Sequence, residues 1–317
     1  MMGWLRSWEG GLLVVFLATL ALNVSFAPEF LTVQNQINLF QLSVEKIIVA
    51  LVMTLIIINA EIDLSVASVM GLAAVVFAYL LNQGWGGGSA ALVCIGVGLL
   101  AGLVNAVLVA RVGIPSLVVT LAMMICFRGF SRVIVQDTSL GNFPDWVTEL
   151  GQKGLIGPLP LSLVLFFVLL VLLGVLLHRT GFGRQVVVIG TNAEVARFSG
   201  VDVARVKAIL FVMAAVISAV AGVLYAARLG SVRGDSALGF ELDIITMVLL
   251  GGVSIFGGKG SMAGVFLAIL IILNLRNGMA LMNITGHVQT GVIGTLLILS
   301  VLLPNIVGDL RARRARA

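Results

Sequence analysis

The sequence predicts an all-α membrane protein with about ten transmembrane helices, a prediction that rests on composition and on the length of its apolar runs. Of the 317 residues, 60% are hydrophobic and only 10% are charged, and the mean hydropathy is +1.17. A soluble domain keeps about 25% of its residues charged, so this chain lacks the polar side chains to cover a water-facing surface. A bilayer-crossing helix takes about 20 mostly apolar residues. We therefore expect a single membrane domain over residues 1–317.

Ten apolar runs define the predicted spans in chain order. They lie at about residues 11–27, 43–60, 64–81, 90–110, 116–135, 159–177, 208–228, 243–256, 261–275 and 288–303. The first part of the first run, Gly11 to Leu22, resembles a secretory signal, with Arg6 before it and Ser25 and Ala27 after it, but the many later runs favour an uncleaved span. Ten spans place both chain ends on the same side of the membrane.

The basic residues predict the orientation of these spans. Lysine and arginine are more frequent in cytoplasmic loops, so the arginine-rich tail 309–317 is predicted to be cytoplasmic. With both termini inside, twelve of the 19 basic residues fall in cytoplasmic segments and seven fall outside. The net charge of +5 then reflects orientation rather than a nucleic-acid-binding surface. Cys94 and Cys126 lie in separate apolar runs, which argues against a disulfide or a metal site.

Two interruptions of the apolar pattern point to a transport function. After the second span, Glu61 and Asp63 precede Ser65; a second, glycine-rich break lies at 257–260. Interrupted helices in both halves of a transporter are typical of a substrate path. Carboxylates at membrane depth are usually functional, but at a span end they are ordinary, and the sequence leaves both interpretations open. Asp63 also suits capping of the third span.

Polar residues within or beside the spans extend this candidate path. Asn105, Asn277 and Gln289 each either line a hydrophilic path or bridge two helices through a hydrogen bond. Together with Asp63 and Ser65 they form the predicted translocation path. Gly98 and Gly102 in the fourth span predict close helix packing, because small residues four apart let helices approach in lipid.

The cytoplasmic segment 179–207 is predicted to present a short helix. Asn192 is a good capping residue, the next residues up to Phe198 favour a helix, and Gly200 supplies a stop. A helix held along the membrane surface there is well placed to contact a soluble partner.

Sequence motifs of enzymes are absent, so no catalytic residues, metal ligands or cofactors are predicted. The chain contains no HExxH, GxSxG or GxGxxG motif. The stretch 251–261 is not a phosphate-binding loop, because Val253 stands where a glycine is required and Gly260 follows Lys259. The residues alone therefore indicate a transporter or channel with an unspecified energy source.

Three sequence blocks resemble the ribose-type ABC transporter permeases of the branched-chain amino acid/ribose permease superfamily. These blocks are Ile62–Ser68, Gly183–Val201 and Gly239–Ser261, and their order and spacing match over residues 45 to 303. The resemblance implies a type II importer fold and the membrane-spanning subunit of an ATP-driven sugar importer in the bacterial inner membrane. The implied partners are ABC ATPase subunits, a periplasmic sugar-binding protein, a second permease subunit that is identical or paralogous, and membrane lipid.

The same resemblance implies roles for individual residues. The short helix in 179–207 would be the coupling helix that docks into the ATPase. Its predicted coupling residues are Gly190, Asn192, Glu194, Ala196, Arg197, Ser199 and Gly200. A pentose, a deoxyhexose or a similar carbohydrate is the implied substrate, and residues 276–291 look most like the rhamnose and autoinducer-2 branch.

Departures from the family pattern keep a second hypothesis open. Ala60 and Glu61 stand where the family usually has two glycines, Ala67 replaces another, and Thr191 occupies a position where glycine is common. The alternative is a proton-coupled secondary transporter that uses Glu61 and Asp63 as a relay, a recognised use of membrane carboxylates.

Overall fold

The computed structural model describes residues 8–27, 29–136, 138–156, 159–299 and 302. Arg6 and the basic tail 309–317 lie outside these residues. The described helices are α1 (Trp8–Phe26), α2 (Val33–Gln41), α3 (Val44–Ile58), α4 (Val66–Asn82), α5 (Gly87–Ala106, continued by a π-helical turn at Val107–Arg111), α6 (Ser116–Val135), α7 (Asp145–Gln152), α8 (Leu161–Arg179), α9 (Gly181–Thr191), α10 (Ala193–Phe198), α11 (Val203–Leu229), α12 (Phe240–Leu250), α13 (Met262–Leu281) and α14 (Gly286–Leu299). The short strands are β1 (Ser139–Leu140), β2 (Gly154–Ile156), β3 (Leu159–Pro160) and β4 (Val232–Arg233).

Among the described residues, six helices are long and apolar enough to cross a membrane: α1, α5 with its π-helical turn, α6, α8, α11 and α13. A seventh span results if α2 and α3, which meet at a bend of 56°, form one broken span. The other predicted spans fall on α4, α12 and α14, which are shorter. The polytopic all-α class is thus supported, whereas the predicted count of ten spans is not confirmed.

The central helix of the bundle is α3. All 15 of its residues are buried, and α8, α11, α12 and α13 pack around it. Beyond Glu45 and Lys46 in its first turn, the helix is apolar on every side and needs such an environment. The second predicted span is therefore enclosed by protein instead of facing lipid.

Small residues allow α5 and α11 to pack closely. A Cβ atom at Gly98 would lie 2.6 Å from the Cβ of Ala219, and one at Gly102 would lie 2.7 Å from the Cα of Val212. A Cβ at Gly96, on another face of α5, would meet nothing within 4 Å. The close packing predicted for Gly98 and Gly102 is confirmed.

The first helix, α1, runs alongside α13. The Asn23 side-chain amide donates a hydrogen bond to the Asn274 carbonyl at 2.7 Å. A Cβ at Gly278 would overlap the Asn23 side chain, so glycine is needed there for the two helices to approach. At its other end, the Trp8 indole donates to the Leu250 carbonyl at 3.0 Å.

The helix connections gather at two ends of the bundle. At one end, which we call the junction end, the Gly258 amide donates to the Ile58 carbonyl at 2.8 Å. At the opposite end, β1 pairs with β4 in antiparallel register, and α7 packs against α11. The loops that the sequence assigns to different sides of the membrane thus lie at different ends of the bundle.

Both predicted interruptions are present as irregular backbone. The first is the connection between α3 and α4. The second follows α12, which ends at Leu250 and not at 256 as predicted. It ends there because Gly252 adopts φ +83°, a left-handed conformation that stops a helix. Residues 251–261 then return along the junction end to α13.

Candidate functional site

The short helix predicted in the segment 179–207 is observed as α10. The Asn192 side chain caps it by accepting hydrogen bonds from the amides of Glu194 and Val195 at 2.9 and 3.0 Å. Gly200 ends the turn with φ +82°. The prediction of a short helix in this segment is therefore confirmed.

The outward surface of α10 combines apolar and charged side chains. Phe198 is 91% exposed, and Glu194 and Arg197 are also exposed. Ala196 is buried and holds the opposite face of α10 against the protein. The Ser199 hydroxyl donates to the Val195 carbonyl at 2.9 Å and closes the last turn. An exposed aromatic residue among charges is typical of a protein contact surface.

Three connecting regions meet where α9 leads into α10, and we call the end of α3 with the residues after it (58–60), the end of α9 (190–191) and the loop 257–260 the three-loop junction. A Cβ at Gly190 would overlap the Ile58 carbonyl oxygen and lie 2.7 Å from the Gly258 nitrogen. A Cβ at Gly257 would lie 2.6 Å from the Cβ of Ala60. The two predicted helix interruptions therefore contact each other and the end of α9.

Ala60 has a backbone conformation that favours glycine, the residue that the resemblance described above implies at this position. Its φ of +61° is left-handed, a conformation that costs an L-amino acid about 1–2 kcal/mol. The departure from the family pattern therefore introduces strain into the three-loop junction.

Replacing Ala60 by glycine is expected to stabilise the protein. Relief of the left-handed strain exceeds the entropy that glycine adds to the unfolded chain, for a net gain of about 0.5–1 kcal/mol. Thermal unfolding in mild detergent checks this, with Ala74→Gly inside α4 as the control, which should cost about 1 kcal/mol. A lower melting temperature for Ala60→Gly would contradict the strain argument.

Asp63, Ser65 and Asn105 form a buried cluster beside the three-loop junction. Asp63 Oδ1 accepts hydrogen bonds from the Ser65 amide at 2.8 Å and from its hydroxyl at 2.6 Å. The Asn105 amide donates to the same hydroxyl at 2.8 Å. The carboxylate thus binds Ser65, the residue immediately before α4, and accepts no hydrogen bond from the amides in the first turn of the described helix, where the capping prediction placed it. Asp63 Oδ2 and Asn105 Oδ1 are buried acceptors without a hydrogen-bond partner in the described structure.

Burial also changes the acidity of Asp63, which lies in the connection between α3 and α4. Desolvation raises its pKa to about 6, and the two hydrogen bonds from Ser65 act in the opposite direction. Glu61, in the same connection, forms an ion pair with Lys207 of α11. Its charge is therefore neutralised by a neighbouring helix.

The other two predicted path residues lie at the opposite end. Asn277 exchanges two hydrogen bonds with Asn35, both of 2.9 Å. Asn277 and Gln289 line a cavity of about 210 Å³ with Lys46 and Arg276. The 15 residues of α3, about 22 Å of helix, run between this cavity and the junction end. The five path residues thus form two groups rather than one.

Ion pairs at the opposite end, whose carboxylates are buried, were not recognised in the sequence. Asp243 accepts from Lys46 at 3.0 Å and from Arg276 at 2.6 Å, and Arg228 donates to Glu45 at 2.7 Å. A further pair, Arg128 with Glu241, has two contacts of 2.9 Å. In the sequence, the basic partners were interpreted only as charges that orient the spans. The available signal was that Glu45, Lys46 and Asp243 fall inside predicted spans, where charges are normally paired.

Comparison with known proteins places the chain among permease components. A family model described as branched-chain amino acid transport system / permease component matches residues 35–301. The autoinducer 2 import system permease protein LsrD of Yersinia enterocolitica is 37% identical over 261 residues, which cover 80% of this chain and 78% of that protein. LsrD of Yersinia pseudotuberculosis is 36% identical over the same shares. No solved structure matches the chain.

Proposed function

The chain belongs to the family of branched-chain amino acid transport system permease components, within its ribose-type ABC branch, and we propose that it imports a small sugar-like molecule using ATP hydrolysed by a separate subunit. As a permease component it is a translocation subunit and not an enzyme. The observation that carries the proposal is the three-loop junction, because it joins an exposed docking helix to both helix interruptions.

In this proposal, α10 receives the force of ATPase closure. The exposed Glu194, Arg197 and Phe198 contact the ATPase, while Asn192 and Ser199 hold the helix in shape and Gly200 ends it. Ala196 anchors its inner face. Gly190 passes the displacement to the backbone at Ile58 and Gly258, and so to the start of α4.

The two groups of polar residues would then serve two parts of one path. Asn277 and Gln289 line a cavity at the opposite end, where a delivered substrate would enter. Asp63, Ser65 and Asn105 lie at the junction end, where it would leave. The unpaired oxygens of Asp63 and Asn105 are acceptors for the hydroxyl groups of a sugar once movement of the loops exposes them.

For the substrate we propose autoinducer 2 or a similar small carbohydrate. The two Yersinia relatives are named for autoinducer 2 import, and residues 276–291 resemble the rhamnose and autoinducer-2 branch. The relatives' names favour autoinducer 2 over rhamnose, a pentose or another deoxyhexose. These sugars are the appropriate competitors in an uptake assay.

The proposed assembly follows from the same family. It contains ABC ATPase subunits, a periplasmic binding protein and a second permease subunit, identical or paralogous, in the bacterial inner membrane. We propose ten spans with both termini cytoplasmic. The basic-residue bias supports this orientation, as does α1, which begins at the junction end beside Leu250.

The proton-coupled alternative is not favoured. A relay needs carboxylates that exchange protons along a chain, whereas Glu61 is held in an ion pair with Lys207. In the described structure, Asp63 bonds to Ser65 and not to Glu61. Membership of a permease-component family assigns the energy source to a different subunit.

Reversing the charge of Arg197 is expected to weaken the assembly with the ATPase. The tagged chain is purified gently from native membranes, and the proteins that accompany it are identified by mass spectrometry. Arg197→Glu should reduce recovery of the ATPase at least about tenfold, because a like charge across an interface costs several kcal/mol. Arg233→Glu, an exposed change at the opposite end, is the control and should leave recovery unchanged.

The same purified assemblies then test transport. Reconstituted in vesicles with the binding protein, the wild-type assembly should take up labelled autoinducer 2 only with ATP, and Arg197→Glu should abolish uptake. Competition with ribose and rhamnose defines the substrate. Uptake driven by a proton gradient without ATP would overturn the proposal and restore the Glu61 and Asp63 relay.

A further inference from the structure

A cavity of about 510 Å³ lies between the end of α5 and the first turn of α11, at the junction end. Arg111 and Arg205 line it, and both residues are exposed. In the described part of the chain, neither guanidinium forms an ion pair with a carboxylate. Asp202 also lines the cavity, but its carboxylate caps α11 by accepting from the Arg205 amide at 3.0 Å. The cavity therefore has an excess of positive charge.

The backbone at the end of α5, which includes Arg111, is not α-helical. Residues Val107–Arg111 form a π-helical turn, in which the Val112 amide donates to the Val107 carbonyl at 3.0 Å, five residues back. The wider turn changes the direction of the side chains that follow it. Such turns occur frequently at functional sites, and Arg111, which lines the cavity, is the last residue of this one.

The side of the cavity formed by α5 is apolar. Leu99, Leu103 and Val107 succeed one another at four-residue spacing on α5, so they lie on one face of the helix, and each is more than 40% exposed. This strip leads from the middle of α5 to the cavity. A ligand that matches both features carries an acidic group for the arginines and a hydrocarbon chain for the strip.

We propose that this cavity binds an anionic phospholipid, with the headgroup phosphate between Arg111 and Arg205 and an acyl chain along Leu99, Leu103 and Val107. The inference rests on the orientation given under the proposed function, in which the junction end faces the cytoplasm. Anionic lipids are abundant in the cytoplasmic leaflet, and basic pockets between membrane helices on that side bind their headgroups.

The test compares lipid binding by two double variants of the purified full-length chain. Phosphatidylglycerol or phosphatidylcholine is titrated in mild detergent, and the bound lipid is counted by native mass spectrometry. Wild type should retain phosphatidylglycerol in preference to phosphatidylcholine. Arg111→Gln with Arg205→Gln should weaken phosphatidylglycerol binding by about 30-fold, the combined effect of two basic residues near an anionic surface.

The control is Arg179→Gln with Arg184→Gln, which removes the same charge from the same end but outside the cavity. It should change binding by no more than about twofold, because neither side chain would contact the lipid. An equal loss in both double variants would overturn the site and leave only general surface charge. Displacement of the lipid by equimolar inorganic phosphate, or by the ATPase subunit, would instead reveal an anion site or a protein-docking surface. The lipid-binding measurement needs neither ATP nor transport. A negative result would therefore not affect the proposed transport function, which the uptake assay tests separately.

Discussion

Replacing Gly190 by alanine is expected to destabilise the protein by about 3 kcal/mol and to abolish transport. The added methyl group would overlap the Ile58 carbonyl oxygen and press on the Gly258 nitrogen. These atoms are backbone, so they cannot rotate away, and the hydrogen bond that joins them would break. Alanine improves helix propensity by only about 1 kcal/mol, which is too little to offset the clash.

Gly181→Ala provides a matched control in the same helix. A Cβ at Gly181 would meet only the flexible end of Arg184, at 3.7 Å, so its effect should stay within about 0.5 kcal/mol. Thermal unfolding in mild detergent measures both variants, and uptake in vesicles measures coupling. If Gly190→Ala melts and transports like Gly181→Ala, the loops of the junction are not in the described contact.

Removing the Asp243 carboxylate is expected to destabilise the opposite end by about 3–5 kcal/mol. Asp243 is the shared partner of Lys46 and Arg276, and Lys46 is only 6% exposed. Asp243→Ala would leave both cations near each other without compensation. Loss of expression, or early melting in detergent, is the expected readout.

A control and a rescue distinguish this effect from general damage. Glu149→Ala removes an exposed pair with Lys153, which is worth about 0–1 kcal/mol. Replacing all three charges, as Lys46→Met, Asp243→Leu and Arg276→Met, should recover most of the stability, because a buried ion cluster can be replaced by apolar packing. If the triple variant melts no higher than Asp243→Ala, the unpaired charges are not the cause.

Local sequence signals predicted the local structure well. Asn192 and Gly200 delimit α10 as expected, because a capping side chain and a left-handed glycine act within a few residues of themselves. Gly98 and Gly102 likewise mark close packing, since their spacing is a property of one helix. Apolar runs located the helices but not their ends, as α12 shows by stopping at Leu250.

Relations between distant residues were not available from the sequence. Lys46 and Asp243 are 197 positions apart, and Glu45 and Arg228 are 183 positions apart. The sequence around each residue therefore does not indicate which residue it pairs with. The two helix interruptions were recognised one at a time, whereas their mutual contact through Ile58 and Gly258 depends on the packing of the whole bundle. Asn277 was grouped with Asp63 because both are polar residues beside spans. Their separation at opposite ends of the bundle also depends on its overall packing.

The pairing of α1 with α13 has a consequence for biogenesis. Asn23 and its partner Asn274 are 251 residues apart, so at about 5–20 residues per second the ribosome needs roughly 12–50 s to make the second after the first. During that interval α1 has to persist in the bilayer without its partner. Its apolar composition allows α1 to remain in the bilayer alone, because Glu9 is its only charged residue. The contact between α1 and α13 thus forms late in synthesis, and translation sets the earliest moment at which it can form.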